Sequence, residues 1–477
     1  MSARRAHLPI PAYRTLGLAL IALLCACGTP GPRYAIPDAP LPAQFGGADW
    51  RTAHPADALP KGDWWQIYQD TALNALEQQA LTDNPDLQGA QARLRQAQAF
   101  AQASEAAFLP MITANGSALR NRTSANRPSL SPLAPPVSTL QNDFNPFASV
   151  RWEADVSGRL ALGKEAAQAA VGQSQADQEN VRLLLTTGVA INYLGLRATD
   201  ADLQALGVLI TEQERTVALL QRRTALGQGT GLDSLTYESA LASSRVQQQT
   251  LQVQREALIS ALAALVGKPA SDFHIAATGS TLPVPLIPPG LPSTLLERRP
   301  DVASAERAVA QANAQIGIAE AARYPALVLG LSDGFESRSL GSLLTASSVA
   351  WSFGATVAQN IYDGGRIDAS VAAARAGHQS AVARYRASVL QAVAEVESAL
   401  AAERVLAEAE TAQQNVLRVA RQQQSLLTRK REGGYATALD QLASDQGVTL
   451  AERTEVQLRG QRMLASVYLV KALGGSW

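Results

Sequence analysis

The chain has 477 residues, enough for one large core or several domains. Its 41 basic and 41 acidic side chains balance, so no excess positive charge points to nucleic acid as a partner. The only two cysteines are Cys25 and Cys27, which excludes a disulfide framework for everything after them.

Residues 1–26 have the form of a secretory signal. Arg4, Arg5 and Arg14 make a basic start without acids, and Leu16 to Leu24 is an apolar stretch about nine residues long, too short to span a bilayer as a helix. Leu24-Cys25-Ala26-Cys27 has lipobox form, with leucine at −3, a small residue at −1 and Cys27 at +1. Cys25 fits less well, because it would put Leu24 at −1. Cys27 is therefore the expected lipidation site, carrying diacylglycerol and palmitate as an anchor rather than a cofactor. Gly28, where an inner-membrane lipoprotein often has Asp, favours the outer membrane. Residues 27–61 are rich in Pro, Gly and Ala without a steady period and read as an extended arm.

The remainder is one unit written twice. Pro85-Asp86-Leu87 and Pro300-Asp301-Val302 stand 215 residues apart, as do Pro110 and Pro325. Beyond them the offset becomes 207: Gly158-Arg159 matches Gly365-Arg366, and Leu232-Asp233-Ser234-Leu235 matches Leu439-Asp440-Gln441-Leu442. The repeats are assigned to 62–272 and 291–477, with 273–290 as linker. The single slip of register falls where each repeat reads as β, as expected of a tolerant surface loop on a helical scaffold.

Each repeat opens with a helix. Leu73, Leu76, Ala80 and Leu81 recur at helical spacing, and Leu87, Ala90, Leu94 and Ala97 continue beyond Asn84-Pro85. Pro110 and Pro325 end these helices. Strands are predicted at about 111–120, 147–157, 326–335 and 349–360. In the second, Ala148, Val150, Trp152, Ala154 and Val156 alternate with Ser149, Arg151, Glu153 and Asp155. About ten residues is the length of a tilted strand that crosses a bilayer. A very long proline-free helix follows each pair, Arg159 to Leu226 and Arg366 to Arg431, with a coiled-coil stripe of apolar residues. At ~1.5 Å per residue each would extend roughly 100 Å. Glycine-containing turns at 227–232 and 433–439 return the chain into a last helix. Four strands cannot close a barrel, and lipid does not permit an open edge. If the strands span, the protein must oligomerise, and a homotrimer is the natural arrangement for a conduit.

In order and spacing, several stretches resemble the TolC-like outer-membrane efflux proteins, in their NodT-type lipoprotein branch. They are Gly31-Pro32-Arg33-Tyr34, Trp64-Trp65…Tyr68…Asp70, Asn84-Pro85-Asp86-Leu87, Leu295-Leu296-Glu297-Arg298-Arg299-Pro300-Asp301-Val302, Ala312-Asn313-Ala314-Gln315-Ile316-Gly317 and Ile361-Tyr362-Asp363-Gly364-Gly365-Arg366. The resemblance covers essentially the whole mature chain. It implies a mainly α fold with a membrane β-barrel contribution: a trimer forming a 12-stranded β-barrel and a 12-helix periplasmic α-barrel. It also implies a periplasmic membrane-fusion adaptor and an inner-membrane resistance–nodulation–division transporter as partners. Adaptor docking is expected at the tips, around Gly227, Leu232, Asp233, Gly434 and Leu439. The aspartate that the family usually has after the second turn aligns with Ala443, which leaves Asp440 and Asp445 as gate candidates.

No catalytic or metal-binding constellation appears. His7, His54, His274 and His378 are scattered. Gly158 to Lys164 has P-loop spacing, but Glu165 replaces the required Ser or Thr. Two other readings stand beside the efflux duct: the outer-membrane duct of a type I protein-secretion system, and a periplasmic structural or adaptor coiled-coil lipoprotein without membrane strands. The cargo is not legible.

Overall fold

The computed structural model describes residues 30–38, 44–45, 48–49, 62–126, 139–278, 283–285 and 298–475. The signal segment, Cys27, most of the arm and the stretch 286–297 lie outside the described residues.

Tandem duplication is written into the element boundaries. Helix α1 is Thr71–Asp83 and α2 is Pro85–Ala106. Strands β1, Met111–Arg122, and β2, Leu140–Ala154, lead to α3, Arg159–Ala225, and α4, Gly231–Leu265. The second repeat gives α5, Pro300–Ala321, β3, Ala326–Phe335, β4, Val349–Ala358, α6, Arg366–Glu432, and α7, Ala438–Ala472. Helices α2 and α5 both have 22 residues, α3 and α6 both have 67, and α4 and α7 both have 35.

Several expected boundaries move. The second strand, expected at 147–157, runs from Leu140 to Ala154. Its first half, Gln141 to Pro146, lacks apolar alternation, yet its backbone pairs with β1 all the way from Leu140↔Arg122 to Arg151↔Met111. At its other end Asp155 leaves the strand, and its carboxylate accepts the backbone N–H groups of Leu160 (3.1 Å) and Ala161 (2.8 Å), capping α3. The first strand reaches Arg122 instead of 120, and the fourth stops at Ala358 instead of 360. Both turns are shorter than expected, since α4 begins at Gly231 and α7 at Ala438. The start of the supposed linker is docked: Arg197 donates to the Ala276 carbonyl at 3.0 Å and Arg255 to the Ile275 carbonyl at 2.8 Å.

The chain divides into two compact units. One contains the sheet, residues 30–37, and the segments 95–172 and 306–383. Its four strands are antiparallel in the order β1-β2-β3-β4. The arm lies on α5 here: Asn313 donates to the Pro32 carbonyl at 2.9 Å, and the Tyr34 hydroxyl donates to the Glu306 carboxylate. The approach needs glycine, because a Cβ on Gly317 would stand 2.7 Å from the Pro30 carbonyl oxygen. The other unit contains the remaining helical segments and the main core. Trp64, Trp65, Tyr68, Leu73, Tyr193, Leu262, Val266 and Val467 are buried together in it, drawing on α1, α3, α4 and α7.

Candidate functional site: a two-faced sheet and two helical tips

Among the described residues no helix is long and apolar enough to cross a membrane. The sheet has the complementary property. Strand registers place Ile112, Val150, Leu331 and Phe353 in one row, and the adjacent row has Trp152, Leu329 and Ala355 on the same face. Phe353 and Ile112 are about 70% exposed (71% and 72%), far from the burial such side chains take in a water-soluble core. The opposite face has the row Thr113, Ser149, Ser332 and Ser352. Its hydroxyls pair at 2.7 Å (Thr113–Ser149) and 2.8 Å (Ser332–Ser352). One face therefore suits hydrocarbon and the other water, the alternation of a membrane barrel wall. β1 and β4 each have one neighbour, so both sheet edges are unpaired among the described residues.

At the first tip, Gly227 has φ +71° and ends α3. Its N–H bonds to the Thr224 carbonyl (3.0 Å), and the next N–H, of Gln228, reaches back to Arg223 (2.8 Å), the two bonds of a Schellman cap. The second tip repeats this 207 residues later. Gly434, φ +80°, bonds to Arg431 (3.0 Å), and Tyr435 bonds to Lys430 (2.7 Å). Both rims expose apolar side chains: Leu226, Leu232 and Leu235 on one, Tyr435 on the other. Asp233 accepts the Thr230 hydroxyl at 3.0 Å, and Leu439 lies in the first turn of α7.

The two gate candidates have different surroundings. Asp440 closes a capping box with Thr437, whose N–H (2.8 Å) and hydroxyl (2.7 Å) both donate to its carboxylate. These bonds hold the Asp440 carboxyl below the usual carboxylate range. Asp445 accepts from Gln424 of α6 and Gln441 of α7, each at 2.8 Å. Ala443 is exposed.

Sequence reasoning missed a ladder of polar contacts between α3 and α7. Gln446 donates to Thr216 (2.9 Å), Thr449 to Glu212 (3.0 Å) and Arg453 to Asp202 (2.6 Å). Burial pushes the Glu212 carboxyl up. Within each hairpin, ion pairs such as Arg245–Glu214 and Arg421–Glu452 accompany apolar clusters: Leu206, Leu209, Ile210, Val217 and Leu241 join α3 to α4, and Leu417, Val448 and Ala451 join α6 to α7. No single-element periodicity could have announced the ladder, because its partners are about 230–250 residues apart (|i−j| 230, 237 and 251).

The sequence profile of the outer membrane efflux proteins matches residues 76–268 and 291–475. The chain belongs to this family. It is 32% identical over 459 residues to the pyoverdine export outer membrane protein OpmQ of Pseudomonas aeruginosa, covering 95% of each chain. It is 30% identical over 475 residues to the outer membrane protein OprJ of the same organism, covering 98% of this chain and 96% of that one. A crystal structure of a membrane protein from P. aeruginosa superposes with a TM-score of 0.82 at 29% identity, over 94% of this chain and 97% of that one. The protein is an outer-membrane efflux channel, mainly helical with a β-sheet contribution, as the sequence led us to expect. The Gly158–Lys164 stretch has a structural place in it. Residues 159–164 open α3, and Lys164 pairs with Glu105 at 3.0 Å.

Proposed function

We propose that three copies close their four-stranded sheets into a twelve-stranded barrel, with α3, α4, α6 and α7 of each copy forming a helical tube. The observation that carries this reading is the sheet: an apolar face with Ile112, Trp152, Leu331 and Phe353 exposed, a polar face, and two edges without partners among the described residues. Lipid tolerates such a sheet only when the edges meet. Three copies supply enough strands for a water-filled lumen, whereas two copies would give a barrel of about eight strands filled by side chains.

The duct is a passive exit for small molecules. Cys27 anchors it to the outer membrane through diacylglycerol and palmitate. The rims around Gly227, Leu232, Asp233, Gly434 and Leu439 receive a periplasmic membrane-fusion adaptor, and their exposed Leu226, Leu235 and Tyr435 give it apolar contacts. An inner-membrane transporter of the resistance–nodulation–division class completes the pump. Asp440 and Asp445 set the charge at the closed end, where three copies of either make an acidic ring. Negative-stain imaging of the detergent-purified protein tests the reading. Hollow threefold particles are expected; solid or monomeric rods without a detergent belt would overturn it.

A further inference from the structure

Away from Asp143 at its far end, the polar face of the sheet carries one uncompensated charge, and it is positive. On that face β1 presents Met111, Thr113, Asn115, Ser117, Leu119 and Asn121, while β3 and β4 present only Ala, Val, Gly, Ser and Thr. All titratable groups of the face are on β2: Asp143, Arg151 and Glu153. Glu153 is neutralised by Arg159, which donates to both of its oxygens at 2.8 and 2.9 Å. Asp143 stands eight residues from Arg151, roughly 27 Å along the strand. Arg151 itself makes no hydrogen bond or ion pair among the described residues.

Its neighbours leave it open. The register places Arg151 beside Gly330, and Gly330 beside Gly354. A Cβ at either glycine would meet nothing within 4 Å, so bare backbone extends two strands out from the arginine. The next row adds the hydroxyls of Ser149, Ser332 and Ser352. Together these residues line a shallow recess of about 350 Å³.

We propose that Arg151 is a specificity-determining residue of the duct: a guanidinium, flanked by serine hydroxyls, that favours organic anions among the molecules passing the barrel. The inference rests on the trimeric-barrel reading, in which this face is the lumen. A ring of three arginines in a wet pore draws anions and repels cations, and a guanidinium fork fits carboxylate, sulfonate or phosphate oxygens.

The test places a probe thiol at Gly354→Cys, two strands or about 10 Å from Arg151. The full-length lipoprotein stays in outer-membrane vesicles. It is modified with an anionic (sulfonatoethyl) or a cationic (trimethylammonium-ethyl) methanethiosulfonate, and the protein without the probe gives the background. At this distance a unit charge in water changes the local concentration of each reagent about twofold. The anionic reagent should therefore react about fourfold faster than the cationic one, relative to their rates on a free thiol. The preference should collapse in Arg151→Gln, persist in Arg151→Lys, and weaken in high salt. Labelling without a charge preference, or with one unchanged by Arg151→Gln, overturns the inference and leaves the duct standing. A probe that reacts only after denaturation means this row does not face water, and it overturns the inference together with the barrel reading.

Discussion

Glu77 offers the sharpest test of how the helical unit is held together. It lies in α1, has no solvent exposure, and neither carboxyl oxygen has a hydrogen-bond partner among the described residues. Burial, with a smaller contribution from the charge of Asp63, pushes its carboxyl from 4.5 up to about 10. A carboxyl raised in the folded state is neutral there and ionised in the unfolded chain at neutral pH. Below pH 4.5 both states hold the proton and the group costs nothing by linkage. As the pH rises from there, the unfolded state releases its proton and the native state keeps it, so stability falls by about 1.4 kcal/mol per pH unit until the folded value is reached. At pH 7 the penalty amounts to about 3 kcal/mol. Glu77→Gln keeps the shape and removes the titration. Glu77→Leu removes the buried polar atoms as well. Thermal unfolding followed by circular dichroism between pH 4.5 and 9 should give matching midpoints for wild type and Glu77→Gln at the acid end, with the variant higher by several degrees at pH 8. Parallel curves across the range would refute the reasoning, because Glu77 would then be ionised and solvated or paired in the native protein.

Three other perturbations follow from the geometry. Arg299 is buried and bonds to Asp301 (2.6 Å), Glu395 (2.8 Å) and the Ala472 carbonyl (3.1 Å), so Arg299→Ala should destabilise the helical unit by about 3–5 kcal/mol, read as loss of folded protein in mild urea. Gly434→Ala forces a side chain into φ +80° and should cost about 1–2 kcal/mol at the second tip, visible as faster amide exchange there and not in α3. Arg453→Met with Thr449→Val removes two rungs between α3 and α7 while the apolar clusters within each hairpin stay intact, so the reconstituted channel should show larger single-channel conductance; unchanged conductance would mean the ladder does not hold the closed state.

Much of this architecture was legible because it is periodic or punctuated. The 215 and 207 offsets locate all six paired helices, since glycine at a left-handed cap and proline at a first helical turn are local requirements that survive in both copies. The two-residue alternation of β2 between Ala148 and Ala154 gives the correct faces, Arg151 included. The early half of β2 was not legible, because Gln141 to Pro146 alternates neither apolar side chains nor charge, and only pairing with β1 keeps it extended. Glu77 stands at a core position of an amphipathic helix and reads as a surface charge until its burial is seen. The role of Trp64, Trp65 and Tyr68 was not legible either: Tyr68 reaches Ser466 at 2.6 Å and Trp64 reaches Thr186 at 3.3 Å, pinning the start of the first repeat to α7 and α3.

In the proposed trimer β1 of one copy meets β4 of the next and the circle closes at three. Thr113→Cys and Ser352→Cys put thiols on the two edge strands, on the same face. Within one chain they are three strands apart, about 14 Å, beyond the reach of a short bis-maleimide linker. Membranes carrying the double variant, treated with such a linker and resolved on denaturing gels, should show covalent dimers and trimers and nothing larger, while each single variant should show neither. Monomers alone, or a ladder continuing past three, would contradict the closed trimeric barrel.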